Sequence, residues 1–251
     1  LDIKDAIRRQ FGDVAAQYAT SPIHASGPDL EAMLAAVPLT GGERLLDAGC
    51  GAGHTALAFA PRVAEVVAVD LTAPMLAQAR RLAAGRGLTN VTFQQGDIED
   101  LPFPDAAFDI VTSRYSAHHY PHPAAALREV ARVLRPGGAC LLVDVVAPDD
   151  PAQDTFLNAI ELLRDPSHVR DHTAAQWLAL LTGAGLRAEA LGRWPLRLAF
   201  EAWVRRMNTP ARSIAALRGL LAGAPAEVRA AFAIEPDGSF TVPVALLRGL
   251  R

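Results

Sequence analysis

The segment Leu45–His54, LLDAGCGAGH, restricts this chain more than any other stretch. An apolar run, ERLLDA, carries Asp47 to its end. Gly49, Gly51 and Gly53 follow at alternate positions, and a helical stretch, HTALAFAPRV, begins at once. Glycine at such a turn tolerates positive φ and lets a ligand approach the backbone closely. In open α/β sheets, ligands settle where the first strand gives way to its helix. Three glycines alone also suit a tight strand-to-helix turn without any ligand. The spacing disfavours two nucleotide classes: the dinucleotide fingerprint wants a glycine where His54 stands, and no Walker sequence occurs.

The rest of the chain supplies the alternation that such a turn calls for. Strand-like runs VVAVD, VTFQQGD, FDIVTSRY and ACLLVDVVAP are interleaved with helical APMLAQARRLAAGRG and HPAAALREVARVLRPGG, the latter stopped by Pro136 and two glycines. The strands are continuous apolar runs, as burial on both faces requires. Residues 5–19 and 28–37 read as helices joined by a loop over 20–28. Beyond Asp150 the alternation loosens. Residues 151–170 and 199–233 are helical in pattern, TAAQWLALLTGAGL is a helix, LRAEALGRWPL is a strand and GSFTVPVALLRG is a last strand. The expected fold is α/β, a Rossmann-like doubly wound, mostly parallel seven-stranded sheet with helical cap insertions. One domain over 1–251 is expected, with its core at about 40–150 and 173–251. The N-terminal helices 1–37 and the insertions 151–172 and 199–233 would cover it, since no linker-like segment divides the chain.

A formal net charge of −3 gives no general attraction to nucleic acid or to an anionic membrane. No apolar run is long enough to span a bilayer, and LDIKDAIRRQFGDVAAQY lacks the apolar core of a signal peptide. A cytoplasmic location is therefore expected. Cys50 and Cys140 are expected to be free thiols, and neither sits in a metal-ligand spacing, so no metal is expected.

Two acids give the glycine turn a ligand class. Asp70 ends VVAVD, about 20 positions beyond the glycines, where a carboxylate accepts from both ribose hydroxyls and repels a 2′-phosphate. A helix cap is the plain alternative. Asp97, in QQGDIEDLPF, stands where a carboxylate accepts from an exocyclic adenine amine with Ile98 against the ring; alone it would be a turn aspartate. Together with FDIVTSRYSAHHYPHP, LREVARVLRPGGACLLVD and LRDPSHVRDHTAAQWLALLTGAGL, these elements resemble the class I S-adenosylmethionine (SAM)-dependent methyltransferases. They look most like the ubiquinone/menaquinone biosynthesis methyltransferase-like branch. The resemblance covers roughly residues 10–190 and is loose over 195–251.

The resemblance implies a site residue by residue. Asp47, Gly49, Cys50 and Gly51 would line the methionine part of SAM, with the ligand carboxylate held by backbone amides at the turn and the start of the helix. Asp70 would hold the ribose, Leu71 and Met75 would flank the adenine, Gly96, Asp97 and Ile98 would meet its edge, and Ser113 would lie near the sulfonium. Tyr18 and His24 would close the N-terminal segment over the cofactor, with S-adenosylhomocysteine as the product. A base is needed only if the acceptor arrives protonated. His118, His119 and His122 form one histidine group and His168 and His172 another, and His119 and His168 are the candidates for catalysis. Arg114 and Tyr115 are alternatives at the same rim, and Arg170 is an anchor for an anionic substrate or a solvated surface group. Trp177 reads as core. Trp194, Phe200, Trp203 and Met207 fit either packing of the cap or a wall for a hydrophobic or aromatic acceptor.

The expected activity is methyl transfer to a small molecule, without nucleic-acid or integral-membrane partners. The alternatives are a SAM-binding protein without turnover and a methyltransferase acting on RNA or protein. The acceptor, its reacting atom and the oligomeric state are not legible in the sequence.

Overall fold

The computed structural model describes residues 2–251. Parallel strands β1 (Arg44–Ala48), β2 (Glu65–Asp70), β3 (Val91–Gln95), β4 (Phe108–Arg114) and β5 (Leu134–Val145) form one sheet with β6 (Arg187–Leu198) and β7 (Phe240–Leu250). The strand order is β3-β2-β1-β4-β5-β7-β6, and β7 runs antiparallel to both of its neighbours. The sheet is thus seven-stranded and mostly parallel, as its sequence pattern predicts.

Neighbouring residues of the central strands feed opposite cores. Leu45, Val66, Ile110 and Leu141 belong to one buried cluster, and Leu46, Val67, Val111 and Leu142 to the other. This is why these strands read as unbroken apolar runs. On the first face lie α3 (Pro28–Ala35), α4 (His54–Phe59), α7 (Pro151–Arg164) and the C-terminal helices α9 (Phe200–Arg206), α10 (Ala211–Ala222) and α11 (Ala226–Ala231). The second face is covered by α6 (Pro123–Val133) and α8 (Ala174–Gly183). Trp177 is fully buried in the second cluster, the core role its spacing predicts. Cys50 and Cys140 are buried free thiols.

Two boundaries differ from the sequence pattern. The helix before the fifth strand stops at Val133 rather than at the glycines, because Pro136 disfavours helical geometry in the residue ahead of it. Leu134 already pairs with Phe108, and the register slip between Phe108 and Ile110 absorbs the intervening Pro-Gly-Gly. The expected loop over 20–28 contains a short helix, α2 (Pro22–Ala25), with Pro22 in the first turn, where a missing amide leaves no bond unmade.

Strands β1 and β4 are adjacent, although the chain runs outward through β2 and β3 between them. The carboxyl ends of β1 and β4 therefore splay apart into a crevice at the reversal point. Helix α1 (Ile3–Ala19) lies across its mouth and packs on α5 (Ala73–Gly85). A buried ion pair ties this N-terminal segment to the sheet. Arg114, the last residue of β4, donates through Nε to Asp29 Oδ2 at 2.6 Å, and through Nη1 and Nη2 to the carbonyls of His24 and Ile23. Both partners are buried, so removing one strands the other's charge. Asp29→Ala is expected to cost about 3–5 kcal/mol of unfolding free energy in denaturant titrations. A loss under 1 kcal/mol would show that the pair behaves as an exposed one.

Candidate active site

The glycine turn adopts the backbone its residues permit: Gly49, Gly51 and Gly53 all have positive φ, at 72°, 51° and 86°. A side chain at Gly49 would also collide with its neighbours, since a Cβ there would lie 2.6 Å from Ser116 Oγ. The turn's amides point inward. Gly49 and Cys50 both donate to the Val69 carbonyl at 2.9 Å, Gly53 donates to the Cys50 carbonyl, and Gly51 donates to Asp70 Oδ2 at 2.8 Å. These four amides all donate to protein acceptors.

Asp47 is placed differently from its expected role. It is buried beneath the turn, and its carboxylate accepts from Ala56 N at 3.0 Å and from Thr112 Oγ1 at 2.8 Å. Burial pushes its pKa up to about 6 despite these bonds. It fixes the start of α4 rather than lining the cavity. Ser113 likewise lies one layer back, its hydroxyl bonded to Tyr120 Oη at 2.8 Å and Ser116 Oγ at 3.0 Å; Ser116 and Tyr120 are the ones that face the cavity.

The remaining cofactor candidates converge. Gly49, Cys50, Gly51, Asp70, Leu71, Met75, Gly96, Asp97 and Ile98 all line one cleft of about 960 Å³, open solvent at its mouth included. Asp70 accepts from Gly51 N and from Thr72 N, each at 2.8 Å, so it is oriented by the turn it follows. Burial raises its pKa above the ordinary carboxylate value. Asp97 Oδ1 accepts from Glu99 N, and Oδ2 accepts from Lys4 Nζ at 2.6 Å; Lys4 also reaches Glu99 at 2.6 Å. The sequence gives no hint of Lys4, which acts across 93 positions. Asp70, Asp97 and Glu99 make the cleft inhospitable to phosphate, and Met75, Leu71 and Ile98 offer an apolar slot. This set fits a nucleoside that carries a sulfonium and no phosphate.

The N-terminal segment closes the cleft, where Tyr18 and His24 are both found. His54 Nε2 lies 3.0 Å from the Tyr18 carbonyl, which fastens α1 to the glycine turn. Tyr115 sits at the same place with φ of 53°, in the left-handed region that side chains seldom adopt, and Arg114 lies over its ring at 4.8 Å. Strained backbone of this kind gathers at functional sites.

The histidines divide by environment. His119 lines the cleft; its Nδ1 donates to the Ser167 carbonyl at 3.0 Å, which leaves Nε2 unprotonated. Burial, then the charge of His118, pushes its pKa down to about 4. His168 is buried outside the cleft with Nε2 donating to Asn158 Oδ1, and burial with the same neighbours pushes it to about 2. His118 behaves oppositely. Its Nδ1 donates to Asp144 Oδ1 at 2.7 Å, and the Asp144 carboxylate above all outweighs burial to raise it to about 9. His118, Asp144 and Asp171 place one side-chain donor atom each within 4.8 Å of one another, a spacing a cation can bridge. Asp144, however, already serves His118 and the amide of Val145, and burial pushes Asp171 far toward its neutral form.

A smaller inner chamber adjoins the cleft. Tyr18, His24 and Tyr115 line both spaces, and Glu161, Arg164, Trp203 and Arg206 line the inner one alone. Trp203 thus serves both the cap packing and a cavity wall, while Arg170 is held by Asp154 at 2.5 Å and lines neither space.

Two outcomes follow. Asp47→Ala leaves a buried amide and hydroxyl unpaired and is expected to lower stability by about 1–3 kcal/mol in denaturant titrations; an unchanged midpoint would remove Asp47 from this structural role. The raised pKa of His118 means that the His118–Asp144 pair contributes fully below the ordinary histidine value and is lost as pH rises through about 9. Imidazole NMR shifts should therefore report His118 as charged at neutral pH, and a neutral ring there would contradict the ion pair.

Comparison with known proteins agrees with this geometry. The Methyltransferase domain family matches residues 46–142, which run from the glycine turn to β5. The chain is 41% identical to the methyltransferase YcgJ of Bacillus subtilis, over 96% of this chain and 97% of that one. The crystal structure of YcgJ superposes with a TM-score of 0.86 over 89% of this chain and 97% of its own. Identity to the demethylmenaquinone methyltransferase of Clavibacter sepedonicus is 33%, over 85% of this chain and 89% of that protein. Within the described residues no helix is long and apolar enough to cross a membrane. The chain belongs to the SAM-dependent methyltransferases.

Proposed function

We propose that the outer cleft holds SAM and that the inner chamber receives a small, partly hydrophobic acceptor to be methylated. The observation that carries this reading is that Tyr18, His24 and Tyr115 line both spaces. When bound, SAM supplies a methyl group already activated by positive sulfur and leaves as S-adenosylhomocysteine.

The chain's residues perform the rest. Asp70, held by the amides of Gly51 and Thr72, offers its remaining lone pairs to the ribose hydroxyls. Met75, Leu71 and Ile98 give the adenine an apolar bed, and Gly96 with Asp97 meets its edge. Lys4 shares Asp97 with that edge and holds α1 over the cleft. Tyr18, His24 and Tyr115 then shape the opening through which an acceptor atom must point in line with the methyl–sulfur bond, and they exclude water from it. His119 lines the cleft, with its unprotonated Nε2 3.9 Å from Asp165 Oδ2, and is the candidate to accept the acceptor's proton; its low pKa makes it a hydrogen-bond acceptor first and a weak base second. His24, which burial holds well below the ordinary histidine value, is neutral at the junction itself and is the second candidate. His168 lines neither space and is assigned to support of the loop beside His119.

Calorimetric titration with S-adenosylhomocysteine tests the reading. Binding is expected in the full chain, and Asp70→Ala is expected to weaken it by about 1–3 kcal/mol. Folded protein that ignores millimolar ligand would sink the proposal, and an unchanged affinity in the variant would take Asp70 out of the site.

A further inference from the structure

We infer that the inner chamber is built to anchor an organic anion, a carboxylate on the acceptor, through Arg164 Nη2 and Arg206 Nε. This rests on the reading that the outer cleft holds the cofactor. Arg164 is only 7% exposed. It donates through Nε to the Trp203 carbonyl at 3.0 Å and through Nη1 to Glu161 Oε2 at 3.1 Å, yet its buried Nη2 has no partner. Arg206 Nε is likewise buried without a partner. Native interiors leave few polar groups unsatisfied, and each charged donor left so is costly. Both arginines line the inner chamber, and their unpaired donors point to an absent acceptor group; Asp171 Oδ2 and Trp203 Nε1 on the same walls are unpaired as well.

The charge balance gives the sign. Glu161 offsets Arg164 and Asp144 offsets His118, while no salt bridge to Arg206 forms among the described residues. Asp171 is pushed by burial toward its neutral form. Arg206 is thus the lining cation with no carboxylate on it among the described residues, which argues for an anion. Arg206 is itself destabilised by burial and then by Arg164, a repulsion that a shared anion relieves.

The walls give the body of the ligand. Ile23, Val145, Leu196, Leu198 and Trp203 are apolar, and the space between atoms is about 480 Å³, open solvent at its mouth included. These walls suit the apolar body of a short aliphatic or single-ring acid. Its carboxylate would be held by the arginines of α7 and α9, and its reacting atom would face Tyr18, His24 and Tyr115 at the junction with the cleft.

The test uses the full chain saturated with S-adenosylhomocysteine. Benzoate, phenylacetate and butyrate are titrated calorimetrically beside their amides, which match them in shape and lack the charge. At least one acid is expected to bind about tenfold or more tightly than its amide. Arg206→Met and Arg206→Gln are expected to erase that preference while S-adenosylhomocysteine still binds. Amides that equal the acids, a preference that survives both variants, or no acid binding at millimolar concentration would each overturn the inference. Failure of S-adenosylhomocysteine to bind the wild-type chain would instead bring down the cofactor reading beneath it.

Discussion

The buried carboxylate of Asp47 is the contact on which the geometry of the site turns. It sits at the end of β1, takes the amide of Ala56 near the start of α4 and takes the hydroxyl of Thr112 in β4. Three elements separated in sequence are thereby locked at the point where the sheet changes direction. Because α4 is fixed, the glycine turn between it and β1 has one conformation, and Gly51 can present its amide to Asp70 at the end of β2. The cleft is a consequence of that chain of bonds. A carboxylate kept this dry is costly, as its raised pKa records, and the cost is offset by two hydrogen bonds that no apolar residue could make.

The N-terminal segment is held by a different kind of contact. Charge fixes it at two ends: Arg114 binds Asp29 and two carbonyls on one side, and Lys4 binds Asp97 and Glu99 on the other. Between them His54 meets the carbonyl of Tyr18. The first pair is buried, while Lys4 is partly exposed, so the two ends of the N-terminal segment differ in how readily they release. Opening at the Lys4 end would uncover the adenine side of the cleft and leave the wall shared with the inner chamber in place.

The parts of the site that were legible in the sequence are those carried by local chemistry. Three glycines between a strand and a helix, and an acid at the end of the next strand, have a fixed relation to the sheet edge once the strands are recognised. The structure accordingly gathers Gly49, Gly51, Asp70 and Asp97 around one cleft. Asp47 and Ser113 share those strands and still point away, because the side-chain period of two sends alternate residues to opposite faces and a shift of one position decides which. Lys4, Arg164 and Arg206 were illegible as a group. Their meeting depends on where α1, α7 and α9 dock, and an isolated arginine on a helix reads as a surface group. The same ambiguity hid the difference among the histidines: His118, His119 and His168 are alike in sequence, and only the proximity of Asp144 and the depth of burial separate a charged ring from two neutral ones.

On the proposed reading, the two spaces are complementary in charge. The outer one is edged by Asp70, Asp97 and Glu99 and suits a cationic sulfonium; the inner one is edged by Arg164, Arg206 and charged His118 and suits an anionic acceptor. Methyl transfer from a sulfonium consumes a positive charge, and a reacting atom that has lost its proton, distinct from the anchored carboxylate, consumes a negative one as the new bond forms. In a site that excludes water, such a loss of separated charge is favoured more strongly than in solution, since the reactants lose more by desolvation than the neutralised products. Three neutral or strained side chains, Tyr18, His24 and Tyr115, stand between the two fields, where a titratable group of either sign would bias one reactant against the other. Their resting neutrality is thus part of the arrangement: burial holds both tyrosines protonated and His24 unprotonated, with His24 free to take a proton from the acceptor.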